Sequence, residues 1–120
     1  MSTTQLLGRF GEAAVAAYLR AQGCRIVAAN YRSRFGEIDL IAEDGDFLCF
    51  VEVKLRKSGR FAEAREFVTV SKQEKLRITA ELYLSEHANE LQPRFDVAEV
   101  YAPQGIETAR PDIRYWKHAF

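Results

Sequence analysis

Glu37, Asp39, Glu52 and Lys54 are the residues of this chain whose types and spacing can do chemistry. They stand in two largely apolar runs, Gly36-Glu37-Ile38-Asp39-Leu40-Ile41-Ala42 and Phe50-Val51-Glu52-Val53-Lys54, with Asp44-Gly45 between them. Asp-Gly is a strong two-residue hairpin signal, because a type I′ turn needs positive φ at both central positions. With those two residues as the turn, Glu43 pairs with Asp46, Glu37 lies directly opposite Glu52, and Asp39 lies on the adjacent diagonal. Opposed residues share a face of the sheet, so the four side chains converge. Like charges across a ladder are unfavourable unless something positive lies between them. A divalent cation together with Lys54 supplies it.

Such a group suits hydrolysis of a phosphodiester, whose anionic oxygens repel an attacking hydroxide. A hard cation offsets that charge and orients water. Mg²⁺ (or Mn²⁺) takes oxygen ligands, keeps several waters and needs few carboxylates. Asp39 and Glu52 offer that pair, the Val53 carbonyl is a candidate third ligand, and Glu12 and Glu37 are further acids. Lys54 can orient or help deprotonate the water and stabilise charge on the phosphate. For Glu52 and Lys54 the alternative is a cross-strand salt-bridge ladder in solvent, and the apolar Phe50, Val51 and Val53 argue against it.

At 120 residues, 48% of them hydrophobic, the chain reads as a single domain, 1–120, with a modest core. Its formal net charge is zero, so affinity for a polyanion cannot come from overall charge. Between Glu52 and Arg77, however, eight basic residues face four acidic ones. By itself such a segment reads as a solvated face; beside a carboxylate cluster it points toward a phosphate-bearing ligand. Arg32, Arg34, Lys57, Arg60 and Lys72 are the candidate phosphate contacts. Cys24 and Cys49 sit among apolar residues without CxxC or zinc spacing and are expected to be buried, reduced thiols. The first residues have no charged-then-apolar signal pattern and no apolar run approaches a membrane span, so a soluble, cytoplasmic protein is expected.

Periodicity places these residues on elements. Residues 4–22 read as an Ala- and Leu-rich helix closed by Gly23. Its stripe is Leu6, Phe10, Ala13, Ala14, Ala17 and Tyr18, widened by Val15, Ala16 and Leu19, which predicts a helix buried over most of its circumference. Glu12 inside it is costly unless it binds a metal or pairs with Arg9. Gly8 and Gly11 flank Glu12 and would let the helix approach a sheet closely. Strands are expected over 25–31, 37–43 and 46–56, with 32–36 as a connector. One sheet face is wholly apolar (Ile38, Leu40, Ala42, Phe47, Cys49, Val51, Val53, Leu55). The other is apolar near the turn (Ile41, Leu48, Phe50) and polar at its far end, so both faces need cover. Ser58-Gly59-Arg60 marks a loop. Ser71-Lys72-Gln73-Glu74 has the form of a capping box opening a second helix with Leu76, Ala80, Tyr83 and Leu84 as its stripe. Lys72 in a first turn opposes the helix dipole; it is either an ordinary solvated lysine or faces an anion. Residues 94–101 alternate as a strand, and Ile113-Arg114-Tyr115-Trp116 closes the sheet as an aromatic strand or edge.

These residues match a family pattern. The chain resembles the PD-(D/E)XK nuclease-fold superfamily and, within it, the YraN-like group of small bacterial proteins, which is similar to archaeal Holliday-junction resolvases. The likeness rests on Gly8-x-x-Gly11-Glu12, Gly36-Glu37-Ile38-Asp39-Leu40-Ile41, Phe50-Val51-Glu52-Val53-Lys54, Lys72-Gln73, Arg94-Phe95-Asp96 and terminal Ala119-Phe120. It implies an α/β, restriction-endonuclease-like fold with a central mixed sheet flanked by helices. It makes Asp39 and Glu52 the metal-binding acids, Lys54 the catalytic lysine and Glu12 the helix-borne acid of resolvase-like relatives; Glu37 has no fixed counterpart. Ile38 stands where the motif name has proline.

The expected function is therefore a metal-dependent endonuclease acting on DNA, branched DNA included, through backbone and shape recognition, with a homodimer able to pool two basic patches. The alternatives are a nucleic-acid-binding module or a protein-interaction module with little or no turnover. His87 and His118 are not needed by this chemistry, and Tyr115 and Trp116 read as core.

Overall fold

Gly11, Val15 and Leu19 recur every fourth residue, and with Ala16 they are the stripe that helix α1 (Thr3–Ala21) buries. The expected phase is thus corrected: Leu6 is 40% exposed, and Ala13 and Ala17 face solvent. An Ala-rich helix carries too little contrast around its circumference to fix its own rotation, and the sheet selects the face holding its branched residues. In this computed structural model, which describes residues 2–57 and 68–120, α1 opens on a capping box: Ser2 Oγ accepts from Gln5 N–H while Gln5 Oε1 accepts from Ser2 N–H.

Strands β1 (Arg25–Ser33), β2 (Gly36–Asp44) and β3 (Phe47–Arg56) form an antiparallel meander. Helix α2 (Val70–Glu86) precedes β4 (Gln92–Tyr101), which lies parallel to β3, and β5 (Asp112–Trp116) returns antiparallel to β4 after a 3-10 turn at Gly105–Glu107. The result is an α/β domain with a five-stranded mixed sheet in the order β1-β2-β3-β4-β5. α1 covers one face, packing Val15, Ala16 and Leu19 on Leu40, Ala42, Cys49, Val51, Ala98 and Val100. α2 covers the other, with Leu76, Ala80 and Tyr83 on Ile41, Leu48, Phe50 and Val97.

Three local readings change. The β2–β3 hairpin closes through Gly45-Asp46 with Asp44 opposite Phe47, two residues away from the expected register. Gly45 alone of the two turn residues has positive φ (58°), the pattern of a type II′ turn, which asks for glycine at its first central position. A slip of two residues preserves the period of two, so every β3 side chain keeps its predicted face. Ile38 packs in the α2 layer rather than with Leu40 and Ala42. At that point of the β1–β2 ladder, between the pairs Ala29–Leu40 and Tyr31–Ile38, stands Asn30 with φ 54°, and a left-handed residue bends a strand out of its regular pleat. Third, the N-cap of α2 is Thr69, whose hydroxyl accepts from Lys72 N–H, so Ser71 lies inside the first turn. Arg60 and the loop around it lie outside the described residues.

The end of the sheet nearer the β2–β3 turn closes on a buried ion network. Asp96, fully buried on β4, accepts from Arg94 Nε, from the Tyr115 hydroxyl at 2.6 Å and from His118 N–H, while Arg94 also bonds Asp44. Tyr115 and Trp116 are therefore core residues; Trp116 Nε1 donates to buried Glu99, and Tyr115 stacks on Tyr18. His87 stacks on Tyr83 and His118 meets Phe47 edge-on. Cys49 is buried as expected, whereas Cys24 is only half-buried; both thiols are free, and burial pushes the Cys49 thiol up to about 12.

Candidate active site

β2 and β3 part company where the acids stand. Their ladder runs from Asp44–Phe47 to Leu40–Val51; beyond it β2 stays on β1 as far as Gly36, and β3 stays on β4 as far as Arg56. A notch opens between the two strands. The Val53 N–H, which a ladder would have used, donates instead to Asp39 Oδ2 at 2.7 Å. This bond fixes the Asp39 carboxylate beside Glu52, so that Asp39, not Glu37, is the acid set against Glu52.

Glu52 is buried, yet its Oε1 carries two cations: Lys72 Nζ at 2.7 Å and Lys54 Nζ at 3.5 Å. Lys72 comes from the first turn of α2 and reaches across the notch. The anion that offsets its unfavourable place in the helix dipole is therefore Glu52. That placement moves Lys72 from the rim of candidate phosphate contacts into the site itself.

The electrostatics are those of an overcrowded pocket. Burial, and then the negative charge of Glu52, push the Asp39 carboxyl up to about 7, against the Val53 hydrogen bond that holds it down. Glu12 and Glu37 add to the repulsion. Burial and the neighbouring ammonium of Lys72 lower the Lys54 value, partly offset by Glu52. For Lys72 burial works in the same direction, but its hydrogen bond to Glu52 prevails and its value is raised.

Glu12 lines a cleft of about 330 Å³ together with Asp39, Glu52, Val53 and the exposed Gly8. Gly11 lets α1 sit close here: a Cβ on it would stand 3.4 Å from Val53 Cγ1. The partner of Glu12 is Asn30 Nδ2 at 3.0 Å, not Arg9 in a direct pair. Burial raises the Glu12 carboxyl, and the Asn30 bond counteracts it. Asn30 escaped the sequence reading; its signal was an Asn in a strand, a residue type that tolerates the left-handed conformation. Glu37 lines a separate cleft toward α2 and pairs with Arg32 at 3.6 Å. Arg34 lies over the Phe35 ring at the β1–β2 turn, and exposed Lys57 lies against Gly105 beside Leu7.

Among the described residues, no three His, Cys, Asp or Glu side chains are gathered closely enough to hold a metal by themselves. Asp39, partly buried and raised by the charge of Glu52, and the buried Glu52 are the donor pair a cation could join. Mg²⁺ suits a two-carboxylate site because it retains water ligands.

A family model described as Uncharacterised protein family UPF0102 matches residues 11–100, which hold Glu12, Asp39, Glu52, Lys54 and Lys72. The chain belongs to the UPF0102 family. This agrees with the YraN-like membership expected from its motifs. A UPF0102 protein of Symbiobacterium thermophilum is 52% identical over 78% of this chain and 80% of its own length. Another, from Chlorobium chlorochromatii, is 43% identical over 99% of this chain and 94% of its own. The Rhodococcus opacus member is 40% identical over the full length of both. No helix among the described residues of this UPF0102 chain is long and apolar enough to cross a membrane.

Proposed function

We propose that this UPF0102 protein is a metal-dependent endonuclease of the PD-(D/E)XK type that hydrolyses DNA phosphodiester bonds in the cytoplasm. The observation that carries the reading is the notch between β2 and β3, where partly buried Asp39 stands beside buried Glu52, with Lys54 and Lys72 at 3.5 Å and 2.7 Å from Glu52. The Holliday-resolvase likeness extends the proposal to branched substrates.

Asp39 and Glu52 would hold Mg²⁺ or Mn²⁺, with Glu12 in the same cleft as the nearer auxiliary acid. The bound cation supplies charge neutralisation at a phosphate oxygen and a source of activated water. The rest falls to the chain. The Val53 N–H orients Asp39 for its task. Lys54, whose neutral form is favoured by burial, would position the water and take its proton as the oxygen attacks phosphorus; the opposite P–O bond breaks and the departing oxygen takes up a proton from solvent. Lys72 contacts Glu52 at 2.7 Å and would transfer that contact to a phosphate oxygen. Arg32, Arg34 and Lys57 supply backbone contacts without base reading.

A second reading, a nucleic-acid- or protein-interaction module without efficient turnover, draws on one observation: Lys72 already satisfies the Glu52 oxygen a metal would use. The two separate in a nuclease assay with Mg²⁺ and Mn²⁺ on linear, flapped and four-way DNA, with Glu52→Ala as control. Metal-dependent cleavage abolished in Glu52→Ala supports the enzyme; binding without cleavage supports the module.

A further inference from the structure

The β1–β2 turn consists of Arg34 and Phe35, between the paired Ser33 and Gly36. Phe35 is the one aromatic among the large exposed hydrophobic residues of the described chain, 38% accessible, and the Arg34 guanidinium lies 4.8 Å over its ring. An aromatic side chain left in solvent at a strand tip contributes nothing to a core.

The tip is held in place. Ser33 Oγ accepts from Phe35 N–H at 3.0 Å, donates to the Gly36 carbonyl at 3.3 Å and shares a hydrogen bond with Thr79 Oγ1 on α2 at 3.1 Å. Between this tip and the start of α2 lies a cleft of about 300 Å³, with Phe35 on one wall and Lys72 and Lys75 on the other. Lys72 joins this cleft to the acidic notch through its bond to Glu52. The Phe35 ring, two ammonium groups and the Glu37 carboxylate thus line a space open to solvent, with the exposed Arg34 guanidinium lying on the ring beside it. Flat π-surface beside positive charge is the combination that takes a nucleobase together with its phosphate.

We infer that Phe35 and Arg34 form a stacking platform for an unpaired DNA base next to the scissile phosphate. The inference rests on the nuclease reading and narrows its substrate. In a continuous duplex both faces of every base are covered by neighbours, so the platform is usable only where a nucleotide is unpaired, as in a flap, a gap or the arms of a junction. Selectivity for branched DNA then arises from stacking, and the turn reads no sequence because every base has a π-face.

The test uses a flap DNA with 2-aminopurine in the flap and a blunt duplex of matching sequence. Binding is followed by anisotropy and 2-aminopurine fluorescence for wild type, Phe35→Leu and Phe35→Trp, with thermal melts of each. Expected results are fluorescence quenching in wild type, about a tenfold loss of flap binding in Phe35→Leu with duplex binding unchanged, and retention in Phe35→Trp. Equal flap binding by wild type and Phe35→Leu, or no quenching in wild type, overturns the platform; if metal-dependent cleavage persists, the nuclease reading stands without it. A wild type that binds neither DNA overturns both.

Discussion

Lys72, in the first turn of α2, places its Nζ 2.7 Å from Oε1 of Glu52 on β3, a contact between residues twenty positions apart that ties helix to sheet across the notch. The lysine occupies the place a cation would take beside Glu52. Lys72→Met therefore has two opposed effects. Loss of a charge-assisted bond to a buried carboxylate destabilises the metal-free protein by about 1–2 kcal/mol, discounted because Lys72 is half-exposed. Removal of the competing ammonium strengthens metal binding. Thermal melts should show a lower Tm without metal and a larger upward shift with Mn²⁺ than in wild type. A smaller shift would make Lys72 a supporter of the metal rather than its competitor.

Asp39 gives a pH dependence whose sign is set by its raised carboxyl. A group that holds its proton more tightly in the folded chain favours folding at low pH. That contribution is complete below the unfolded value of 3.8 and is lost as pH rises through about 7, where the buried pair must carry both charges. Without metal, wild type should lose stability between pH 5 and pH 8 relative to Asp39→Asn, at about 1.4 kcal/mol for each unit of effective shift. Asn keeps an acceptor for the Val53 N–H but carries no charge. On the proposed reading a metal would bind Asp39 in its ionised form, so Mn²⁺ should stabilise wild type more at pH 8 than at pH 5, and Asp39→Asn little at either. Chemical denaturation at the two pH values measures both.

The shared face of Glu52 and Lys54 was legible because β3 alternates with period two and the misplaced hairpin turn slipped the register by an even number, whereas Asp39 joins them through its bond from Val53 N–H where β2 leaves that alternation at Ile38. The pairing of individual acids was not legible, since it depends on which two residues turn. The phase of α1 was hidden by its alanines, and Asn30 by a backbone conformation that leaves almost no mark in sequence. The expected close approach of α1 is visible at one glycine only. A Cβ on Gly11 would stand 3.4 Å from Val53 and 3.5 Å from Leu55, while a Cβ on Gly8 meets nothing within 4 Å. Gly11→Leu should therefore cost about 1–3 kcal/mol by overpacking, and Gly8→Ala should gain about 0.5–1 kcal/mol of helix stability. Equal effects at the two positions, read from denaturant midpoints, would contradict this packing of α1 on β3.

Lys54 separates binding from chemistry. Its ammonium cannot ligate a metal, and it sits 3.5 Å from Glu52 with its proton loosened by burial and by Lys72. Lys54→Ala should abolish cleavage while the Mn²⁺-dependent rise in Tm survives. Lys54→Arg keeps the charge but, with a guanidinium that does not give up its proton, should restore stability and DNA binding without restoring the rate. A rate recovered in Lys54→Arg would reduce Lys54 to a fixed positive charge. A Tm shift lost in Lys54→Ala would mean instead that the lysine organises Asp39 and Glu52 before any substrate arrives. Single-turnover cleavage and metal-dependent melts on the same preparations distinguish proton transfer, charge and organisation.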